Sequence, residues 1–352
     1  MTEPFAALLE RVRPALDQAL ADSWESAREQ HARFGLAVTA PLEAARALCL
    51  RGGKRLRAAL VIAGYRVAGG GFELAPCLPV CCAVELLHAY FLIHDDWMDQ
   101  DELRRGGPAV HAALACQFGS AHLGAAGAVL AGDYTLALAT RELARADLAP
   151  QRRAAVLARF VEMQLDAVVG QQLDVLGGSS RDGATSSAGN LDDVYRLKTG
   201  SYTVLGPLQL GAALCDPPPQ LGPALEAFAL PLGIAFQLRD DLLGAFGDPA
   251  RTGKPRGSDL IAGKRTLLLQ AALSDPSARS ALAAVVGNAT APPDAVERAL
   301  DAIATCGARG SVELRIGELT GHARAALGRD AFDGKSRSLL EGVLSALIDR
   351  GL

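Results

Sequence analysis

Apolar residues recur at intervals of three and four along nearly the whole chain, the spacing that lines one face of an α-helix. The run Phe5-Ala6-Ala7-Leu8-Leu9-Glu10-Arg11-Val12 is amphipathic in this way, as are Arg152–Gln172 and Ala295–Ile303. Ala, Leu, Arg and Glu, all good helix formers, dominate these stretches. Strand-like alternation bounded by turn dipeptides is scarce. Breakers separate the periodic stretches: Gly69-Gly70-Gly71, Gly177–Asn190, Asp216-Pro217-Pro218-Pro219 and Gly287–Pro293. Gly177–Asn190, rich in Gly and Ser, predicts a flexible surface loop rather than a linker, because helical patterning resumes at Leu191. The pattern predicts an all-α protein of about ten or more helices, with one domain over residues 1–352.

Composition narrows the class. The chain has 352 residues, half of them hydrophobic, which is ample for a large core and excludes a disordered regulator. Lys and Arg number 35 against 39 Asp and Glu, a net charge of -4. Such a chain has no global attraction to nucleic acid or to an anionic membrane, so any basic site must be local. The seven cysteines show no regular spacing and read as small buried hydrophobes, which points to a reducing cytoplasm. No signal peptide is visible at Met1-Thr2-Glu3-Pro4. The uncharged stretch Gly106–Gly132 contains His111, Gln117, Ser120 and His122, and reads as helix and turn rather than a membrane span.

The sharpest chemistry is His94-Asp95-Asp96-Trp97-Met98-Asp99, which follows the apolar helical run Leu78–Ile93. On a helix Asp95 and Asp99 share a face, about 5–6 Å apart at Cβ. Carboxylates at that distance repel unless a cation sits between them. Mg²⁺, which takes a few carboxylates and completes its shell with water and phosphate oxygens, suits them. Asp96 points away and reads as a supporting group. A second acidic pair, Asp240-Asp241, ends another apolar helix, and two such helices look like halves of one metal cluster that brackets a polyanion. Cations are scattered around them: Arg51-Gly52-Gly53-Lys54-Arg55-Leu56-Arg57, Arg104-Arg105-Gly106-Gly107, Lys198-Thr199-Gly200, Gly253-Lys254-Pro255 and Gly263-Lys264-Arg265-Thr266. Lys54 and Arg57, three apart, are expected on one helix face. Singly, each cation is more often a solvated surface charge. As a set with the acid pairs, they describe a diphosphate pocket held partly by metal and partly by cations.

In this order the motifs resemble the trans-isoprenyl diphosphate synthases, the polyprenyl synthetase family. They are GGKRLR at Gly52–Arg57, ELLHAYFLIHDDWMD at Glu85–Asp99, RRGG at Arg104–Gly107 and GQQLD at Gly170–Asp174. KTGSYT at Lys198–Thr203, FQLRDD at Phe236–Asp241 and GKPRGSDLIAGKRT at Gly253–Thr266 complete the series. The resemblance implies a single domain of antiparallel helices around a central cavity, usually a homodimer. It implies a Mg²⁺-dependent condensation of isopentenyl diphosphate with an allylic diphosphate. By motif, Asp95, Asp99 and Asp240 are the implied metal ligands, with Asp241 as a supporting carboxylate. Arg104, Lys198 and Lys254 are implied for the allylic diphosphate, and Lys54, Arg57, His88 and Arg105 for isopentenyl diphosphate. Thr199 and Gln237 are implied to offer oxygens near the developing carbocation, with Lys264 in a segment that closes over the site. Tyr90 and Phe91, just before the first aspartates, resemble the short-chain arrangement that floors the tail pocket. That favours the C15 product, farnesyl diphosphate, with C20 geranylgeranyl diphosphate close behind.

One departure stands out. Gly244 occupies the place where many relatives carry a third aspartate, and Asp248 is out of register to replace it. Three other readings fit less of the chain. A class I terpene cyclase would not need the Gly52–Arg57 motif. An HD-type phosphohydrolase would need further metal-binding histidines. A non-catalytic regulatory subunit would not need Asp95, Asp99, Lys198 and Asp240 together.

Overall fold

The three- and four-residue apolar spacing becomes helix throughout the computed structural model, which describes residues 3–179, 191–248 and 256–349. The only paired strands among the described residues are Leu103–Arg104 and Gly107–Pro108. The chain folds into two compact units.

The first comprises residues up to Phe160 together with Pro207–Pro219. Helix α1 (Phe5–His31) buries Phe5, Leu8, Val12, Leu16, Leu20, Trp24 and Ala27, the stripe visible in its sequence. Helices α2 (Leu36–Leu50) and α3 (Leu56–Val67) follow, then α4 (Leu78–Met98), α5 (Val110–Phe118) and α6 (Ala121–Arg145). Helix α4 packs chiefly on α6. Very close helix approach needs residues without side chains. A Cβ at Gly64 of α3 would lie 2.0 Å from the Leu208 carbonyl oxygen, and one at Gly211 would lie 1.8 Å from that of Val61. Four cysteines, Cys49, Cys77, Cys81 and Cys82, are buried as the sequence predicts, whereas Cys116 is exposed. Burial pushes the Cys49 thiol up to about 11 and that of Cys77 to about 12.

The boundary falls inside α7 (Pro150–Ser179), and the second unit comprises Val161–Gly206 with residues from Gln220 onward. Helix therefore stands over 177–179, where the loop was expected to begin. Its remainder, 180–190, lies outside the described residues, as does Lys254. After α8 (Leu191–Val194) the chain widens to a π-helix over Tyr195–Leu205, then runs into α9 (Gly206–Ala212). Helix α10 (Leu221–Phe246) packs on this π-helix and on α15 (Ala308–Ala326). Between them lie α11 (Ser258–Ile261), α12 (Leu267–Ser274), α13 (Pro276–Ala283) and α14 (Pro293–Thr305), with α16 (Gly334–Ile348) last. The core of this unit draws Leu238 and Leu242 from α10, Leu268 and Leu269 from α12, Leu300 and Ile303 from α14, and Val312 from α15.

By length and composition, α4, α6 and α10 could each cross a membrane, although over half of the apolar stretch in α4 and in α10 is buried inside the protein. Helix α6 buries less of its stretch, and leaves Leu123 and Leu130 exposed seven residues apart on one face.

Candidate active site

In the first unit the site is built on the C-terminal end of α4. Asp95 lies in its last turn, and Asp99 caps it by donating its backbone N–H to the Asp95 carbonyl at 2.8 Å. Asp96 is completely buried and turned aside, as the helical geometry predicts. It accepts from Arg104 Nε at 2.7 Å and also from Arg104 Nη2, which reaches Asp101 Oδ2 at 3.1 Å. Asp96 thus fixes the guanidinium of Arg104 beside the metal-type carboxylates. Tyr90 and Phe91 pack with ring centroids 4.9 Å apart. Phe91, four residues before Asp95, shares the Asp95 face. Tyr90 turns to meet His94 edge-on at 4.6 Å, and His94 Nε2 pairs with the Val129 carbonyl of α6 at 3.1 Å.

The RRGG motif is a tight hairpin with Leu103 opposite Pro108 and Arg104 opposite Gly107. Arg105 (φ 51°) and Gly106 (φ 73°) both occupy the left-handed region, as a type I′ turn demands. Two arginines hold the hairpin to the glycine loop before α3. Arg51 Nη1 donates to the carbonyls of Arg104 at 2.9 Å and Pro108 at 3.1 Å. Arg105 Nη1 donates to the Gly52 carbonyl at 3.1 Å, and its Nη2 lies 3.4 Å from His88 Nε2. Since Arg can only donate, that contact assigns Nε2 as acceptor and the His88 proton to Nδ1. Burial, followed by the charges of Arg57, Arg105, Arg104 and Arg55, pushes the His88 imidazole well below its ordinary value. A neutral histidine among arginines marks a positive potential that suits an anion.

The expectation that Lys54 and Arg57 share a helix face needs correction. Helix α3 begins at Leu56, so Lys54 stands in the loop before it. The cause is Arg55, which takes a left-handed conformation (φ 50°) and turns inward. It donates to Asp17 at 2.8 Å, to Glu85 at 3.3 Å and to the Cys49 carbonyl at 3.1 Å. Arg55 is therefore an anchor for the loop that bears Lys54, and Glu85 of α4 is its buried partner. A carboxylate inside the apolar run Leu78–Ile93 was the legible sign of such a partner.

The second unit carries its own cluster. Lys198 and Thr199 lie in the π-helix, a geometry common at functional sites. Lys198 Nζ lies 2.6 Å from Asp174, the last residue of the GQQLD motif. Ser201 donates to Asp166 of α7. Thr199 Oγ1 donates to Gln237 Oε1 at 2.8 Å, so the two oxygens expected together are together. Gln237 Nε2 donates to Asp241 Oδ1 and Tyr195 to Asp241 Oδ2, each at 2.8 Å. Asp241 is buried while Asp240 is half-buried on the next helical position. The Asp241 carboxyl is pushed up to about 7, by burial first, against the two hydrogen bonds that lower it and with Asp259 and Asp240 adding to the rise. Asp248 lies beyond the end of α10, so it cannot stand in register for Gly244. A Cβ at Gly244 would lie 2.2 Å from Asp259 Oδ2, so the missing side chain is what lets the Asp259 carboxylate approach this turn. Lys264 stands between α11 and α12, two residues before Thr266, which caps α12 by accepting from the Leu269 N–H.

Among the described residues no three His, Cys, Asp or Glu side chains converge as a complete metal cage. That is compatible with Mg²⁺, which binds through one or two carboxylates and draws the rest of its shell from water and phosphate. The oxygen donors Asp95 and Asp99 of the first unit, and separately Asp240 of the second, each fit it by hardness. Sequence reasoning missed Arg51, Arg55, Glu85, Asp174, Tyr195 and Asp259, all of which act on the candidate residues rather than in their place.

A family model for polyprenyl synthetases matches residues 40–303, a span that holds every candidate residue. A geranylgeranyl diphosphate synthase of Mycobacterium tuberculosis is 36% identical over 307 residues, 86% of this chain and 82% of that protein. A geranylfarnesyl diphosphate synthase of Aeropyrum pernix is 32% identical over 303 residues, 85% and 91% of the two chains. The crystal structure of a geranylgeranyl pyrophosphate synthase from Corynebacterium glutamicum, complexed with isoprenyl diphosphate and magnesium, matches with a TM-score of 0.89 at 34% identity. The match covers 96% of this chain and 98% of that one.

Proposed function

Because the chain belongs to the polyprenyl synthetase family, we propose that it is a trans-prenyltransferase that joins isopentenyl diphosphate to an allylic diphosphate and releases a short-chain prenyl diphosphate. The observation that carries this reading is the arginine hairpin. It sets Arg104 beside the acidic end of α4 and Arg105 beside His88 and the glycine loop, one cation for each of two anionic groups. A cyclase, with one diphosphate, needs only the first.

Asp95, Asp99 and Asp240, with Asp241 in support, would hold Mg²⁺, which when bound draws negative charge onto the leaving diphosphate. Arg104, Lys198 and Lys254 bind the allylic diphosphate. Lys54, Arg57, Arg105 and neutral His88 hold isopentenyl diphosphate, its double bond toward the allylic carbon. As the allylic C–O bond breaks, positive charge develops on carbon, and the oxygens of Thr199 and Gln237 stabilise it. The double bond captures the cation, and the proton then leaves to the departed diphosphate, so no strong protein base is required. Apolar walls and the segment of Lys264 keep out the water that would quench the cation. Phe91 and Tyr90 floor the tail pocket, which favours C15 over C20. The homodimer implied by the family has a candidate face in the exposed Leu123 and Leu130 of α6.

The test is a product assay with purified protein, Mg²⁺, isopentenyl diphosphate and, separately, C5, C10 and C15 allylic diphosphates. A prenyl diphosphate is expected from the wild type and none from Asp95→Ala. Released hydrocarbon would mean a cyclase, and no product with any primer would mean a regulatory subunit. Near-normal turnover by Asp95→Ala would remove the proposed metal site.

A further inference from the structure

Four hydrogen bonds in the second unit form two arms that converge on the Asp241 carboxylate. The Leu267 backbone N–H can only donate, and it donates to the Tyr195 oxygen at 2.9 Å. The single Tyr195 proton then goes to Asp241 Oδ2 at 2.8 Å. The other Asp241 oxygen lies 2.8 Å from the side-chain amide of Gln237, and only the amide nitrogen can donate to a carboxylate. That turns Gln237 Oε1 toward Thr199, which must donate to it at 2.8 Å. A hydroxyl has one proton. With that proton committed, Thr199 presents only lone pairs to anything else beside it.

We propose that Tyr195 and Asp241 are positioning residues that set the polarity of the Thr199 hydroxyl, so that a positive charge forming beside it meets oxygen and not hydrogen. The inference rests on the prenyltransferase reading above, in which Thr199 and Gln237 lie near the allylic carbon. If Gln237 were reversed, its NH₂ would donate to Thr199. The hydroxyl proton would then point outward, where it opposes a cation. Within each arm the donors line up and strengthen one another, and both arms end on the same carboxylate. Tyr195 is buried, and its oxygen, which accepts from the Leu267 N–H, gives its one proton to Asp241. Its far end rests on Leu267, directly after Thr266 of the GKRT segment. That segment and the Thr199 hydroxyl are thus joined by one continuous chain.

The test is a double-mutant cycle in the full-length protein, read as kcat and KM. Tyr195→Phe keeps the ring but removes the donor to Asp241 and the acceptor of Leu267. It is expected to lower kcat about tenfold, with KM for both diphosphates unchanged within about twofold, the signature of an interaction made only in the transition state. Thr199→Val, which removes the hydroxyl, is expected to lower kcat further, and Thr199→Ser to hold it within about threefold of wild type. The double variant Tyr195→Phe/Thr199→Val is expected to fall well short of the product of the two single losses, because the hydroxyl that Tyr195 orients is already gone. A merely structural role for Tyr195 would make the two losses multiply, and that result, or an unchanged kcat in Tyr195→Phe, would overturn the proposal. If Tyr195→Phe does not fold, Tyr195→Met, which also removes the hydroxyl and fills the site with a flexible apolar side chain, takes its place in the cycle with the same expectations. A wild-type protein that forms no prenyl diphosphate would overturn the functional reading and this inference with it. An active wild type with multiplying losses would overturn the inference alone.

Discussion

Gly244 is defined by what approaches it. A methyl group there would press on the Asp259 carboxylate, but that carboxylate ends a side chain that can rotate away. Gly244→Ala should therefore cost under about 1 kcal/mol, which a urea melt can resolve. Gly244→Asp is a different change, because it adds a negative charge to a turn where Asp259 and Asp240 already raise the proton affinity of the Asp241 carboxyl. It should lower the melting temperature by a few degrees without added cation, and MgCl₂ should restore more of that loss than it adds to the wild type. An equal Mg²⁺ response in both proteins would show that no cation is held at this turn. The departure at Gly244 was visible in the sequence. Its counterpart was not, because Asp259 lies fifteen positions later and only folding brings the two together.

At the scale of the element, α4 does two jobs with opposite demands. Its first half is apolar and buried, and its last turn presents carboxylates. Glu85 violates the first half and is tolerated because Arg55 neutralises it. Glu85→Leu should destabilise the protein by about 3–5 kcal/mol, since it leaves a buried guanidinium with the half-exposed Asp17 as its carboxylate partner. The double variant Arg55→Met/Glu85→Leu should recover much of that in the same unfolding experiment. Failure to recover would mean that the pair holds the loop shape rather than offsetting charge. Phe91, on the Asp95 face, belongs to the same element. Phe91→Ala should lengthen the product by at least one C5 unit on thin-layer analysis of the hydrolysed alcohols, and an unchanged length would place the floor elsewhere. The helix, its acids and its aromatic pair were legible because each depends on spacing within one helix. The start of α3 was not, because Arg55 is drawn inward by Asp17, Glu85 and Cys49, 38, 30 and 6 positions away.

For the whole molecule, the all-α class followed from periodicity, but the division of its packing into two units did not. The boundary at Phe160 and Val161 falls within one unbroken helix, where neither composition nor spacing changes. The surface was also hard to read. The stretch Gly106–Gly132 looked like interior helix and turn, yet α6 leaves Leu130 66% exposed and Leu123 half exposed. An apolar face of this kind is costly to leave in water. If a second copy covers it, Leu130→Asp should convert a dimer to a monomer in sedimentation at micromolar concentration, with the helical circular dichroism retained. A wild-type monomer would assign the face to something else.

The hairpin at Arg104–Gly107 adds a constraint of another kind. Its two arginines are neighbours in sequence, yet one faces Asp96 and the other the Gly52 carbonyl, because the chain reverses between them. Substitution of either arginine would remove one partner and leave the other in place. A single inserted residue would instead shift the register and rotate both arginines away from their partners at once. In this short surface turn, insertions and deletions should be rarer among working descendants of the sequence than point changes, although loops elsewhere accommodate added length readily.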